Sequence, residues 1–325
     1  MNPAFSVIFL TTLIGVGQGL FLALYTGQLY SVVNVFSPRH SSEFYGYGSL
    51  LALAFLSAGL IASFFHLGHP ERAWRSASQW KTSWLSREVI VLPAFMGTTF
   101  VYAMIQLNGW NPILFTLSDN FIVDLSLLVG AINMLLAFLL FLCTAMIYAC
   151  IKFLQEWASS LTVINYTLLG MASGFTFCTA FAAYLSSDAI FIYGGWAITL
   201  TVFACITRVT SLIRNTKIKY KSNLSTAIGI RHSKIKQIAQ GSMGGSFNTR
   251  EYFHQAKPII FKSIKWVFLL LVFILPTALL LSALTTNSFA LCMLAFITQY
   301  LGLLAERWFF FAQANHPQNL YYQTI

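Results

Sequence analysis

Residues 121–150 read FIVDLSLLVGAINMLLAFLLFLCTAMIYAC, thirty positions interrupted by one charged side chain, Asp124. A helix crosses a hydrocarbon core of roughly 30 Å with about 20 apolar residues, and a barrel strand with about 10, so this stretch suits a helix and overshoots a strand. Lipid offers no water to backbone N–H and C=O groups, which leaves helices and closed barrels as the only ways across. Seven further runs of the same character stand near 4–30, 46–66, 88–107, 161–184, 189–211, 264–285 and 287–312. The divisions near 185 and 286 are the least sharply marked. The chain reads as all-α, a polytopic membrane helical bundle of about eight transmembrane helices, with residues 1–325 forming a single integral membrane domain.

Composition agrees with that reading. Of 325 residues, 57% are hydrophobic and 9% charged, with a mean hydropathy of +0.71, whereas soluble domains carry about 25% charged residues. Eight spans leave no room for a large extramembrane redox domain. The first run has no basic segment before it, exceeds the length of a signal-peptide core and lacks a convincing small-residue cleavage site, so it reads as a span.

The loops carry the charge asymmetrically. Fifteen Lys and Arg fall in loops two, four and six, against Arg39 on the opposite face. The positive-inside rule places the even loops, and with eight spans both termini, in the cytoplasm. Loop two, 67–87, is then a cytoplasmic motif loop and loop six, 212–263, a basic cytoplasmic loop. Loop six holds most of the +10 formal charge, Glu251 as its only acid, and a Gly241–Ser246 centre rich in glycine. It admits two readings: attraction to anionic lipid headgroups, or docking of an acidic soluble partner. No nucleic-acid-binding fold organises its charges.

Several redox and metal classes find few ligands. Cys143, Cys150, Cys178, Cys205 and Cys292 lie within apolar runs without a C-x-x-C pair, so the chain is expected to hold no cluster or zinc of its own. Haem needs axial ligands on facing spans, and of six histidines only His66 touches a span end. His66 and His69 share helical spacing, but Gly68 and Pro70 turn the chain away from a helix there. Gly15-Val16-Gly17-Gln18-Gly19 sits inside a span with no strand before it, so it reads as close helix packing rather than a dinucleotide loop. Gln18 then needs a hydrogen-bond partner, as helix glue or as the lining of a polar pocket. Pro93 and Pro276 are expected to kink the third and seventh spans.

Acids near the membrane are few. Asp119, Asp124 and Asp188 sit near the outer face and read as helix caps, and Glu306 beside Arg307 reads as a mutual ion pair. The densest polar stretch runs from Phe64-Phe65-His66-Leu67-Gly68-His69-Pro70-Glu71-Arg72-Ala73-Trp74-Arg75 to Leu85-Ser86-Arg87-Glu88. A histidine ending one span and a glutamate opening the next can face each other across a surface turn and handle protons beside a lipid-soluble substrate. The pair also admits a purely structural role. Trp74, Trp80 and Trp84 read as interfacial anchors of the turn.

The pattern from Gly59 through His66, Gly68, Pro70, Arg72 and Ala73 to Leu85-Ser86-x-Glu88 resembles the membrane anchor subunit of dimethyl-sulfoxide-reductase-type molybdoenzymes. Gly17-Gln18 and Glu306-Arg307 are similar to features of its first and last spans. The likeness covers nearly the whole chain, with its specific motif in about 25 residues. It implies an anchor without haem or metal that binds a quinone, ubiquinone or menaquinone. It also implies partners on one face, an iron–sulfur (ferredoxin-like) subunit and a molybdopterin catalytic subunit, which carry the clusters and the molybdenum. Residue by residue, it implicates His66, Arg72 and Glu88 in the quinone pocket, with Gln18 beside them. Docking of the partners falls to His69, Glu71, Arg75 and Arg87 in the motif loop and to Arg231, Lys234, Lys236 and Arg250 in the basic loop.

The cytoplasmic motif loop and the long basic sixth loop are similar to the branch of that family serving cytoplasmic sulfite dehydrogenases. Sulfite oxidation is therefore favoured over a sulfoxide reductase drawing on menaquinol. Two other classes compete. In a secondary transporter Glu306, Arg307 and Gln18 would line a central path, although no inverted repeat is evident. A structural tether would lack a quinone site, and copurifying partners and quinone-site inhibitors separate these classes.

Overall fold

The computed structural model describes residues 1–33, 41–118, 121–185, 189–220, 223–232, 234–235, 252–254, 256–317 and 319. Arg39, Asp119, Asp188, Lys236, Gly241–Ser246, Arg250 and Glu251, all named above from the sequence, lie outside them.

Eight helices are long and apolar enough to cross a membrane: α1 (Phe5–Val32), α2 (Ser42–Phe64), α3 (Trp84–Asn108), α4 (Leu125–Ala149), α5 (Ser160–Tyr184), α6 (Ile190–Thr216), α8 (Pro258–Thr286) and α9 (Phe289–Ala312). A one-turn α7 (Leu224–Ile228) lies in loop six. The chain is a multi-pass membrane protein. Helix starts are set by short polar caps: Ser41, Ser83, Asp124, Ser159 and Ser288 each accept a backbone N–H from the first turn of α2, α3, α4, α5 and α9, satisfying donors that lipid could not. Asp124 thus caps, as expected. The doubtful division near 286 is real, because Asn287 enters the left-handed region at φ 50° and turns the chain between α8 and α9.

Two local features depart from the expected pattern. Residues 121–124 of the fourth run do not join the helix; Phe121–Asp124 pairs antiparallel with Ile113–Ser118 as a short hairpin between α3 and α4. The aromatic and β-branched residues there suit a strand as well as a span, and hydropathy alone does not separate the two. Span seven carries a π turn, Leu270–Ile274, immediately before Pro276, so the proline's missing donor is absorbed by locally widened helix.

Helix α1 runs through the centre, packed on α2, α4, α5 and α9. Its glycines permit this. A Cβ on Gly19 would overlap the carbonyl oxygen of Gly170, and one on Gly174 would overlap the backbone of Gly19 and Leu20, so α1 and α5 meet backbone to backbone, as the small-residue face predicts. Helix α3 lies between α2 and α4, while α6 covers α5 and α8 packs on α6 and α9. Large apolar side chains such as Leu135, Ile274 and Leu301 point outward and are exposed, the expected condition of a lipid-facing surface.

Candidate functional site

Antiparallel succession brings the end of α2, the start of α3, the end of α4, the starts of α1, α5 and α8, and the ends of α6 and α9 to one face of the bundle. The motif-loop residues lie there. Between α2 and α3 the chain forms a 3-10 helix, Pro70–Gln79, opened by Pro70 at its first turn. It is pinned to α3 because the Ser86 hydroxyl donates to Ser76 O. Arg87 stacks its guanidinium 4.2 Å from the Trp84 ring and donates to Trp80 O at 2.9 Å and Lys81 O at 2.8 Å. Arg87, expected to dock a partner, is half-buried and spends two of its donors closing this turn.

The remaining motif-loop residues face outward. His66, His69, Glu71, Arg72 and Arg75 are exposed, as are Trp74 and Trp80. His69 Nδ1 lies 3.0 Å from Glu71 Oε1, and Arg72 Nε lies 3.7 Å from the same oxygen. At that exposure these pairs orient the turn and add little stability. The His66 ring is partly desolvated by its neighbours, which lowers its pKa below the ordinary histidine value. In loop six, Arg231 and Lys234 are exposed.

Glu88 behaves differently. Its side chain turns inward from the first turns of α3, is 9% exposed, and accepts a hydrogen bond from the Thr144 hydroxyl on α4. The expected pairing sets His66 against Glu88; among the described residues no hydrogen bond joins them. Glu88 instead lines an interior cavity of about 20 Å³, shared with Gln18, Thr144, Tyr166, Ser173 and Arg307. That is room for about one water. Gln18 both lines this space and donates to Ala137 O at 2.9 Å, so the two readings of Gln18, glue and pocket wall, hold together.

Arg307 links the cavity to a second buried group. Its guanidinium rests 3.6 Å from the Tyr166 ring centroid, and its Nε lies 3.4 Å from Glu306 Oε2. The other carboxylate oxygen of Glu306 is 2.7 Å from Arg208 Nε on α6. The expected Glu306–Arg307 pair is therefore present, but as part of an Arg–Glu–Arg triad whose third member was not among the sequence candidates. An arginine inside the apolar run 189–211 is the available signal, since a charge inside a span needs a partner. Nothing in the sequence marks Thr144 or Tyr166.

The cysteines are free: Cys143, Cys178 and Cys292 are buried, Cys205 is half-buried, and Cys150 is an exposed cap residue at the end of α4 rather than within the span.

The family model described as DMSO reductase anchor subunit matches residues 1–322. A protein of Allochromatium vinosum that bears the name of a sulfite dehydrogenase subunit is 51% identical over 325 residues, covering all of both chains.

Proposed function

The chain belongs to the DMSO reductase anchor subunit family, and from that premise we propose that it is the quinone-reactive membrane subunit of a molybdoenzyme complex oxidising sulfite in the cytoplasm. Electrons reach it from an iron–sulfur subunit, which receives them from a molybdopterin catalytic subunit, and leave through the quinone pool of the bacterial inner membrane. The observation that carries this reading is the meeting of Glu88 and Gln18 on one buried cavity, at the same end of the bundle as the His66–Arg75 turn. The name of the Allochromatium relative and the positive charge of the even loops favour sulfite over a sulfoxide reductase fed by menaquinol.

An imidazole, a guanidinium, a carboxyl group and an amide are groups suited to a quinone headgroup, divided here between the exposed turn (His66, Arg72) and the buried cavity (Glu88, Gln18). At about 20 Å³ the cavity holds a water and not a ring. The exposed His66 and Arg72 are then the groups that meet the headgroup, and Glu88 with Gln18 forms the proton-handling wall. When bound, the quinone supplies a two-electron, two-proton couple. His66 exchanges a proton at a ring nitrogen as general acid or base. Arg72 would supply a fixed positive charge to stabilise a bound quinone as it gains electron density. Glu88 passes the second proton between the turn and the water-sized cavity, steadied by Thr144, and Gln18 holds the wall through Ala137. His69, Glu71 and Arg75, with Arg231 and Lys234, serve partner docking.

The test is reconstitution of the complex with Glu88→Gln and His66→Ala. Loss of sulfite-to-quinone turnover, with the iron–sulfur and molybdenum subunits still bound, is expected. Unchanged turnover with intact assembly overturns the assignment, and failure of those partners to copurify overturns the complex.

A further inference from the structure

A second and larger cavity, of about 540 Å³, opens at the same membrane face between the end of α6, the start of α8 and the end of α9. Its volume falls in the range of small-molecule sites, about 300–1,000 Å³. One wall is apolar, formed by Leu212, Phe261 and Leu269 among others, and two lysines of α8, Lys262 and Lys265, stand in the lining. Lys265 also lies 5.0 Å from the Trp266 ring centroid, the pairing of cation and indole that marks headgroup depth.

The polar end is built and left unsatisfied. Glu156, 3% exposed, spends Oε1 on the Tyr220 hydroxyl at 2.5 Å and the Asn315 N–H at 3.2 Å, while its Oε2 is buried with no hydrogen-bond partner. Asn215 Nδ2 and Gln313 Nε2, in the same lining, are also buried and unpartnered. Three residues of one cavity wall that each carry a buried, unpaired polar atom are unusual, because each such atom costs about 1–3 kcal/mol unless a ligand or water meets it. Together they ask for a ligand with anionic oxygens for two amides and two ammonium groups, one hydroxyl for the carboxylate, and an apolar remainder.

We propose that this cavity is a binding site for an acidic phospholipid with a hydroxyl-bearing headgroup, of the phosphatidylglycerol type. The phosphodiester sits between Lys262, Lys265 and the amides of Asn215 and Gln313. A headgroup hydroxyl donates to Glu156 Oε2, and an acyl chain lies along the apolar wall. Phosphatidylethanolamine offers a donor too, but its ammonium group meets two lysines and it brings no net negative charge. Inorganic phosphate satisfies the donors and leaves the apolar wall empty. The site is independent of the quinone reading, since none of its residues lines the Glu88 cavity.

The test uses the full complex in nanodiscs of phosphatidylethanolamine with a minor share of phosphatidylglycerol, read by native mass spectrometry and by a photoreactive phosphatidylglycerol mapped to peptides. Retention of phosphatidylglycerol over phosphatidylethanolamine is expected, with labels on α6 and α8. Lys262→Gln with Lys265→Gln lowers that retention about tenfold or more. Gln313→Leu, which keeps both lysines, weakens it less, and Leu212→Trp fills the cavity and abolishes it. Equal retention of both lipids, labels elsewhere, or retention indifferent to Gln313→Leu and Leu212→Trp overturns the proposal. Displacement of the lipid by inorganic phosphate alone would assign the site to free phosphate and also overturn it.

Discussion

Arg208 Nε on α6 lies 2.7 Å from Glu306 Oε1 on α9, with both side chains at most 2% exposed. Two charges this deep in a membrane protein are each expensive, and their attraction offsets that cost only while both are present. Arg307 shares the same carboxylate and carries the contact onward to Tyr166 and the Glu88 cavity.

Glu306→Gln is therefore expected to cost about 3–5 kcal/mol, because it strands two buried guanidinium groups. Thermal unfolding in detergent, or the amount of chain that accumulates in the membrane, measures it. Adding Arg208→Gln should recover part of the loss, giving a double-mutant coupling of at least about 0.5 kcal/mol. Strict additivity would deny that the pair acts as a unit.

At the centre of the bundle, Gly174→Ala should destabilise by about 1–3 kcal/mol or more, since the new methyl overlaps backbone atoms of Gly19 and Leu20. Gly97→Ala, with nothing within 4 Å of the added carbon, serves as the control and should leave the unfolding temperature unchanged or slightly raised.

Thr144→Val separates positioning from proton transfer. The Glu88 carboxylate loses the hydroxyl that holds it but keeps its proton chemistry, so quinone-linked turnover should fall less than in Glu88→Gln. For the latter a loss of about 100-fold or more is expected of a removed acid–base group. Steady-state assays of both variants over a pH series measure the difference, and Glu88→Gln should flatten the profile while Thr144→Val shifts it. Equal losses with identical profiles would argue that Glu88 is only a structural partner of Thr144.

His254 gives a pH dependence whose sign is fixed. Burial, followed by the nearby N-terminal charge, lowers its pKa below the ordinary histidine value, and its Nδ1 accepts the Ala256 N–H at 3.0 Å. The folded state thus disfavours the protonated ring. The associated stability is present above the unfolded value near 6.5 and is lost as pH falls toward the lowered folded value. Hydrogen exchange at Ala256 and the start of α8, corrected for intrinsic rates, should quicken as pH drops below about 6.5. His254→Gln should remove that step.

The sequence carries the eight spans well. Their expected ends agree with the helices to within a few residues at α1, α5 and α9, because the length of an apolar run is a local property that the bilayer reads directly. Phe121–Asp124 is not separable from its span by hydropathy, because the same apolar residues serve a strand and a span. The site is legible in part. Glu88, Gln18 and Arg307 stand out as polar residues in apolar runs, and Gly15 and Gly19 give the α1–α5 contact by their spacing. Arg208 carries the same signal as Arg307, but its partner lies on a helix far along the chain.

What the sequence by itself determined is the solvent of this chain, the number of its crossings, its charge asymmetry and its family. What only the tertiary structure decided is which side chains meet: Glu88 with Thr144 rather than His66, Glu306 with Arg208 as well as Arg307, and Glu156, Asn215 and Gln313 around one cavity. The physical reason lies in the membrane itself. Where the lipid-facing and core-facing sides of a helix are both apolar, periodicity does not reveal its inward face, and the rotation of each span is set by packing between helices far apart in sequence.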